Sequence, residues 1–393
     1  MNVLFFSEMT ISPGSGGGHT VFNLLEPAPK GCAVYYATPT SFPSHWAPFP
    51  EIHSRICPVS NDRQDVIPMV PRGERFRPVK RANALIAHMN AWLRTRKAVR
   101  QVLGHIRRLQ IDVLLTSPQS VFDLTVTVKV FRRSGVPVIT WFMDDYYVTD
   151  DSATAYQREL WRASRNCFVI SEAMQRRFAR LFSKDCAVLN NSVPFPDHCP
   201  ESSIEPHSPL RIIYAGSLNP YYLDTLRSLL DELKGLGEEI VLDIYSPEEI
   251  PAELSGGGNY VYRHVPAIPA AEMRKRLQEY DLLLILSSFL PQHRAIAETS
   301  LASKWADYLA SGRCILAYGP EYAENVCYAR RHGLGEVVTS NRPGALRDAV
   351  ARLAVDTQRR VTLGRHSYQF GQKRHNQATN SSKLWNVLQQ EYC

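Results

Sequence analysis

The residues from Ser303 to Leu309, SKWADYL, combine a hydroxyl, a cation and a carboxylate at helical spacing. A serine ahead of a helix can cap it while leaving other backbone N–H groups free, and Lys304 adds positive charge where the helix dipole already favours an anion. That combination suits a diphosphate. Asp307, three residues on, falls on the same face and can accept hydrogen bonds from the hydroxyls of a ribose. The same residues also describe an ordinary capped amphipathic helix with a Lys304–Asp307 pair.

Three further stretches could do chemistry. Phe6 to Thr20 (FSEMTISPGSGGGHT) places Gly14, Gly16, Gly17 and Gly18 between a first strand and a helix expected from about Thr20. Glycines there let backbone N–H groups approach an anion or a sugar, and Gly17 and Gly18 are the candidates for that contact. The spacing matches neither the dinucleotide nor the P-loop pattern, and a plain flexible loop is the other reading. Thr140 to Tyr147 (TWFMDDYY) sets Asp144 and Asp145 at the end of an apolar strand. There they can take a proton from an acceptor hydroxyl, hold sugar hydroxyls, or cap the next helix. No histidine lies close by in sequence, and no metal site is expected. Tyr214 to Ser217 (YAGS) ends a strand on Gly216 before a helix, again suited to phosphate.

These stretches need elements to hold them. Short apolar runs alternate with helical patterns along the chain, the mark of parallel sheets flanked by helices. At 393 residues the chain exceeds one compact core. A Pro- and Ser-rich stretch, Pro194 to Pro209, breaks the pattern, which restarts at Arg211 to Ala215. The expected fold class is α/β: a Rossmann-like domain over 1–200, a second over 201–375, and a helix over 376–393 that crosses back to the first.

Ordinary proportions of apolar and charged residues, 44% and 21%, exclude a disordered or fibrous chain. No apolar run reaches the ~18 residues of a membrane span. The N-terminus lacks a secretory pattern, and eight cysteines without a C-x-x-C pair fit a reducing compartment; the expected location is cytoplasmic. The net charge of +7 is uneven: Arg75 to Ile111 holds ten Lys or Arg and no Asp or Glu. Within it Leu85, Met89, Trp92, Val99, Leu103 and Ile106 recur at the spacing of one helical face. Either this is a solvated basic face on a helix packed into its own domain, or Arg75 to Arg108 is a peripheral contact with the inner face of the membrane. Nucleic acid is not expected, since aromatics do not interleave with the basic residues.

The order of motifs resembles the retaining GT-B glycosyltransferases of family four. The glycine-rich first loop, DVLLTSPQ then GVPVITWFMDD, FVISEAM then AVLNNSV, IIYAGSL, and SKWADYLASGRCILAYGP carry the resemblance, over roughly Met1 to Asp356. It implies two domains closing on a cleft, a nucleotide-sugar donor held by the second, an acceptor held by the first, and no metal or other cofactor. It implies transfer of a sugar to a hydroxyl of a glycan or lipid-linked glycan, in bacterial-type surface polysaccharide assembly. By the same resemblance Gly216, Ser217, Ser303 and Lys304 face the diphosphate, Asp307 the ribose, and His264 and Val265 the base. Where the family carries an Arg and a Lys after this glycine, Ser217, Leu218 and Asn219 stand here. Lys304 then carries more of the leaving-group stabilisation, with Arg294 or His293 as helpers. A nucleotide-sugar 2-epimerase of the same fold, or a catalytically weak glycan- or nucleotide-binding subunit, are the alternatives.

Overall fold

A computed structural model describes all residues except 14, 40–46, 61–76, 145–150, 201–208, 219, 252–260, 267 and 393. The first half runs β1 (Asn2–Phe6), α1 (Gly16–Leu25), β2 (Ala33–Pro39), β3 (Ile56–Val59), α2 (Arg77–Arg108), β4 (Val113–Thr116), α3 (Val121–Ser134), β5 (Val138–Phe142), α4 (Asp151–Ala163), β6 (Cys167–Val169), α5 (Glu172–Phe182) and β7 (Ala187–Val188). The second runs β8 (Leu210–Ala215), α6 (Pro220–Leu233), β9 (Ile240–Ser246), β10 (Val261–Pro266), α7 (Ala270–Arg276), β11 (Leu282–Leu286), α8 (Arg294–Ala297), α9 (Trp305–Ser311), β12 (Cys314–Tyr318), α10 (Glu324–His332), β13 (Glu336–Val338), α11 (Ala345–Val355), α12 (Thr357–Arg374) and α13 (Gln377–Tyr392).

Two parallel sheets result, in the orders β3-β2-β1-β4-β5-β6-β7 and β10-β9-β8-β11-β12-β13. Both follow a doubly wound pattern, whose crevice opens where the order reverses, beside the first strand of each sheet. The glycine-rich segment after β1 and Gly216 after β8 lie at those two points. Strands such as β11 and β12 are apolar on both faces (LLLIL, CILAY) because helices cover each side. From the far end of the chain, Leu384, Trp385 and Leu388 of α13 enter the core of the first sheet, and Ser381 Oγ donates to Leu24 O at 2.8 Å.

Two expectations change. The glycines are not a loop ahead of a helix starting near Thr20. Ser15 caps α1, accepting from Gly18 N at 3.1 Å, so Gly16, Gly17 and Gly18 are its first turn. The expected apolar face of α2 is also not buried along its length. Val99 and Ile106 are buried in the core, but Leu85, Met89 and Trp92 are 71%, 48% and 51% exposed. The 32-residue helix is about 48 Å long, and these three side chains stand exposed near its start while its second half carries the buried Val99, Val102 and Ile106.

Candidate functional site

A cavity of about 530 Å³ separates the first turn of α1 (Gly16, Gly17, His19) from Gly216, Ser217, Ser303, Lys304 and Asp307. A second, of about 250 Å³, continues past Gly17 and Ser303 to Asp144, Ser287, His293 and Ser300. The two halves meet closely here. A Cβ on Gly16 would lie 2.4 Å from Ser303 Oγ and 3.3 Å from its Cβ, so a side chain here would press directly on Ser303. Ser300 Oγ donates to Asp144 Oδ1 across the cleft at 2.8 Å, and Arg331 Nη1 donates to Glu172 Oε2 at 2.7 Å.

Lys304 lines the larger cavity. Its Nζ lies 3.8 Å from the centroid of the Tyr214 ring and 5.4 Å from that of Tyr222. Burial pulls its pKa from the ordinary lysine value down to about 7. The expected Lys304–Asp307 pair does not form. Asp307 Oδ1 instead accepts from Arg274 Nη1 at 3.4 Å, and among the described residues no carboxylate pairs with Lys304. Close approach of the lysine needs Gly216, whose φ of +148° and lack of a side chain leave room; a Cβ there would stand 2.7 Å from Nζ.

Ser303 does not cap the following helix. Lys304 occupies the cap position of α9, with no side-chain capping bond. The segment is held from behind by Asn325, whose Oδ1 accepts from Ala302 N and from Trp305 Nε1, each at 2.9 Å. Nothing in the sequence pattern singled out Asn325.

The remaining candidates divide by position. Gly17 lines both cavities. Gly18 lines neither; it packs against the backbone of Thr10 and Ile11. Asp307 lines the larger cavity, and burial raises its carboxyl pKa against the opposing pull of Arg274. Asp144 lines the smaller cavity, and Asp145 lies outside the described residues. His264 and Val265 lie on β10 outside both cavities, although Ile268 and Ala270 just beyond do line the larger one. Arg294 also stands outside, paired with Glu298 at 2.7 Å and stacked on Tyr322, whereas His293 lines the smaller cavity. Sequence reasoning missed His19, Arg274 and Glu248. Burial, then the Arg274 charge, lowers His19 to about 4, so it stands neutral in the cavity wall.

No protein-family model matches the chain, and no curated protein matches it. Solved structures match it over its whole length. HepE of Anabaena, in complex with UDP and glucose, has a TM-score of 0.70 and 13% identity, covering 99% of this chain and 100% of that one. Sucrose-phosphate synthase from Thermosynechococcus elongatus has a TM-score of 0.70 and 11% identity, over 99% and 98%. The apo form of the lipopolysaccharide outer core galactosyltransferase WaaB has a TM-score of 0.61 and 14% identity, over 100% of both chains. Likeness at this level of identity defines the fold. The chain has the GT-B fold, two Rossmann-like domains facing a central cleft.

Proposed function

We propose that the protein transfers a sugar from a nucleoside-diphosphate sugar to a hydroxyl of a glycan or lipid-linked glycan in surface polysaccharide assembly, with retention at the anomeric carbon. The observation that carries this reading is Lys304: a cleft-lining cation with no carboxylate partner among the described residues, set against Gly216 and beside Ser303. In that position it would neutralise charge developing on the departing diphosphate, with the positive charge supplied by a side chain in place of a metal ion. The anomeric C–O bond to the diphosphate breaks, the acceptor oxygen bonds to the same carbon, and the hydroxyl proton passes to the leaving oxygen. Asp307, which lines the same cavity and pairs with Arg274, is assigned to the ribose in this reading, and the smaller cavity beyond Ser303 is assigned to the sugar. Asp144, which lines that cavity and accepts from Ser300, is assigned to sugar or acceptor hydroxyls.

HepE holds UDP and glucose in a fold of the same class, so uridine nucleotides are the first donors to try. The test measures nucleoside diphosphate released from a panel of UDP-, GDP-, dTDP- and ADP-sugars, with and without membrane lipid extract. Release that depends on an acceptor fraction is the expected result. No release from any donor overturns the transferase reading, and a C2 epimer formed without acceptor points to the 2-epimerase.

The acceptor is proposed to be met at an anionic membrane surface. The exposed Leu85, Met89 and Trp92 share α2 with Arg81, Arg94, Arg96, Lys97, Arg100, Arg107 and Arg108, and Arg96 stacks on Trp92 at 5.1 Å. Each basic side chain near such a surface contributes about 1 kcal/mol, and the apolar residues can enter the interface. The protein is expected to float with vesicles containing phosphatidylglycerol and not with pure phosphatidylcholine, and Leu85→Glu/Trp92→Glu is expected to abolish flotation. Equal flotation with both vesicle types would remove the membrane contact from the proposal. No helix among the described residues is long and apolar enough to cross a membrane.

A further inference from the structure

The loop after β8 already carries an anion of its own. Glu248, just beyond β9, accepts from Ser217 Oγ through Oε1 at 2.9 Å. Its Oε2 accepts from Leu218 N at 3.0 Å and from Ser246 Oγ at 2.8 Å. Glu248, Ser217, Gly216 and Lys304 line one cavity. The two groups that a phosphate would most readily meet on this loop, a hydroxyl and a backbone N–H, are therefore occupied by a carboxylate. Burial opposes the charge, but the bonds from the Leu218 amide and the Ser246 and Ser217 hydroxyls outweigh it and hold the carboxyl below its ordinary range.

Resting on the donor-site reading above, we propose that Glu248 is an internal competitor of the donor's diphosphate that sets the balance between holding donor and releasing product. A diphosphate reaching the loop must either displace the carboxylate from Ser217 and Leu218 or lie beside it, with Lys304 as counter-charge. The penalty grows with the ligand's charge. A free nucleoside diphosphate carries about three negative charges near neutral pH and its sugar ester about two, because only the free form has a terminal phosphate that titrates near 6. Glu248 thus weakens product binding more than donor binding, and cleavage of the sugar–phosphate bond itself strengthens the repulsion. Lys304 supplies the attraction and Glu248 limits it.

The test compares UDP and UDP-glucose, with GDP and GDP-mannose in parallel, by calorimetry on the full chain and on Glu248→Gln, Glu248→Ala and a charge control, Glu249→Gln. A like charge across a hydrated, salt-screened cleft alters a binding constant by roughly twofold per ligand charge. Glu248→Gln is expected to tighten the diphosphate about tenfold and its sugar ester about threefold. The excess should shrink in high salt, and Glu249→Gln should change neither constant. Glu248→Ala, which also vacates Ser217 and Leu218, should tighten at least as much; if it unfolds, Glu248→Gln decides. Unchanged or weaker binding by a folded Glu248→Gln overturns the competition, and equal tightening of diphosphate and ester overturns the role in product release. If none of the proteins binds any of the four nucleotides, the donor-site reading falls too; binding indifferent to position 248 removes this inference alone.

Discussion

Replacing Lys304 with alanine is expected to raise the dissociation constant for the nucleoside diphosphate by about a hundredfold, because charge-assisted bonds contribute about 1.5–3 kcal/mol and no other unpaired cation lines this cavity among the described residues. The same residue makes binding depend on pH. In the free protein burial holds Lys304 near 7, whereas a bound diphosphate favours its charged form and raises that value. Between the two values the complex carries more protons than the free protein. The Lys304 component of affinity should therefore be flat below pH 7 and fall toward about tenfold per pH unit above it, while the terminal phosphate's own titration near 6 adds a separate slope below pH 7. Calorimetry from pH 5.5 to 9 measures this, and in Lys304→Ala the component should vanish. The sign for folding follows the same linkage. A lysine lowered by folding binds more protons in the unfolded chain between 7 and its ordinary value, so its contribution to stability rises with pH across that window and is unfavourable below it. Lys304→Met is accordingly expected to raise the Tm at pH 6 while losing nucleotide binding. A Lys304→Ala protein that binds nucleotide like the wild type would refute the role assigned to Lys304.

The second large effect is expected at Gly18. A Cβ there would stand 1.9 Å from Thr10 O, 2.9 Å from Thr10 C and 3.0 Å from Ile11 Cα, all backbone atoms with little room to yield. Gly18→Ala must push α1 away from the segment after β1, which disturbs the Ser15 cap and the contact of Gly16 with Ser303. A cost of about 3 kcal/mol is expected, seen as a Tm lowered by several degrees with a more than tenfold loss of sugar transfer. Gly104→Ala is the contrast. Gly104 lies inside α2 with nothing within 4 Å of its would-be Cβ, and helix propensity favours alanine there by about 1 kcal/mol. Thermal melts of the two variants check the pair, and equal melts would show that Gly18 is not closely packed.

Much of the fold was legible in the sequence because strands covered on both faces read as unbroken apolar runs. Leu282 to Leu286 (LLLIL) and Cys314 to Tyr318 (CILAY) are such runs, and both are strands. β3 (ICPV) escaped notice because it is short and contains a proline, which marks edge strands. α12 escaped because its buried positions are Arg360, Gly364, Ser367, Tyr368 and Gly371, which carry almost no apolar periodicity. They pack by closeness, with a Cβ on Gly364 only 2.1 Å from Gly312 O.

The site divides in the same way. Residue type and spacing determined that Lys304 and Asp307 share a surface near a strand end, since helical geometry is local. Which charges pair was decided by tertiary structure. The packing of α7 beside α9 gives Asp307 to Arg274, and the end of β9 delivers Glu248 to Ser217 and Leu218. Likewise Leu85, Met89 and Trp92 have the spacing of a buried face, yet they stand exposed, because burial depends on what the rest of the fold brings against them. Local sequence determined the elements and the face each side chain takes. The contacts that set charge, protonation and exposure join residues far apart in the chain, and no spacing rule records them.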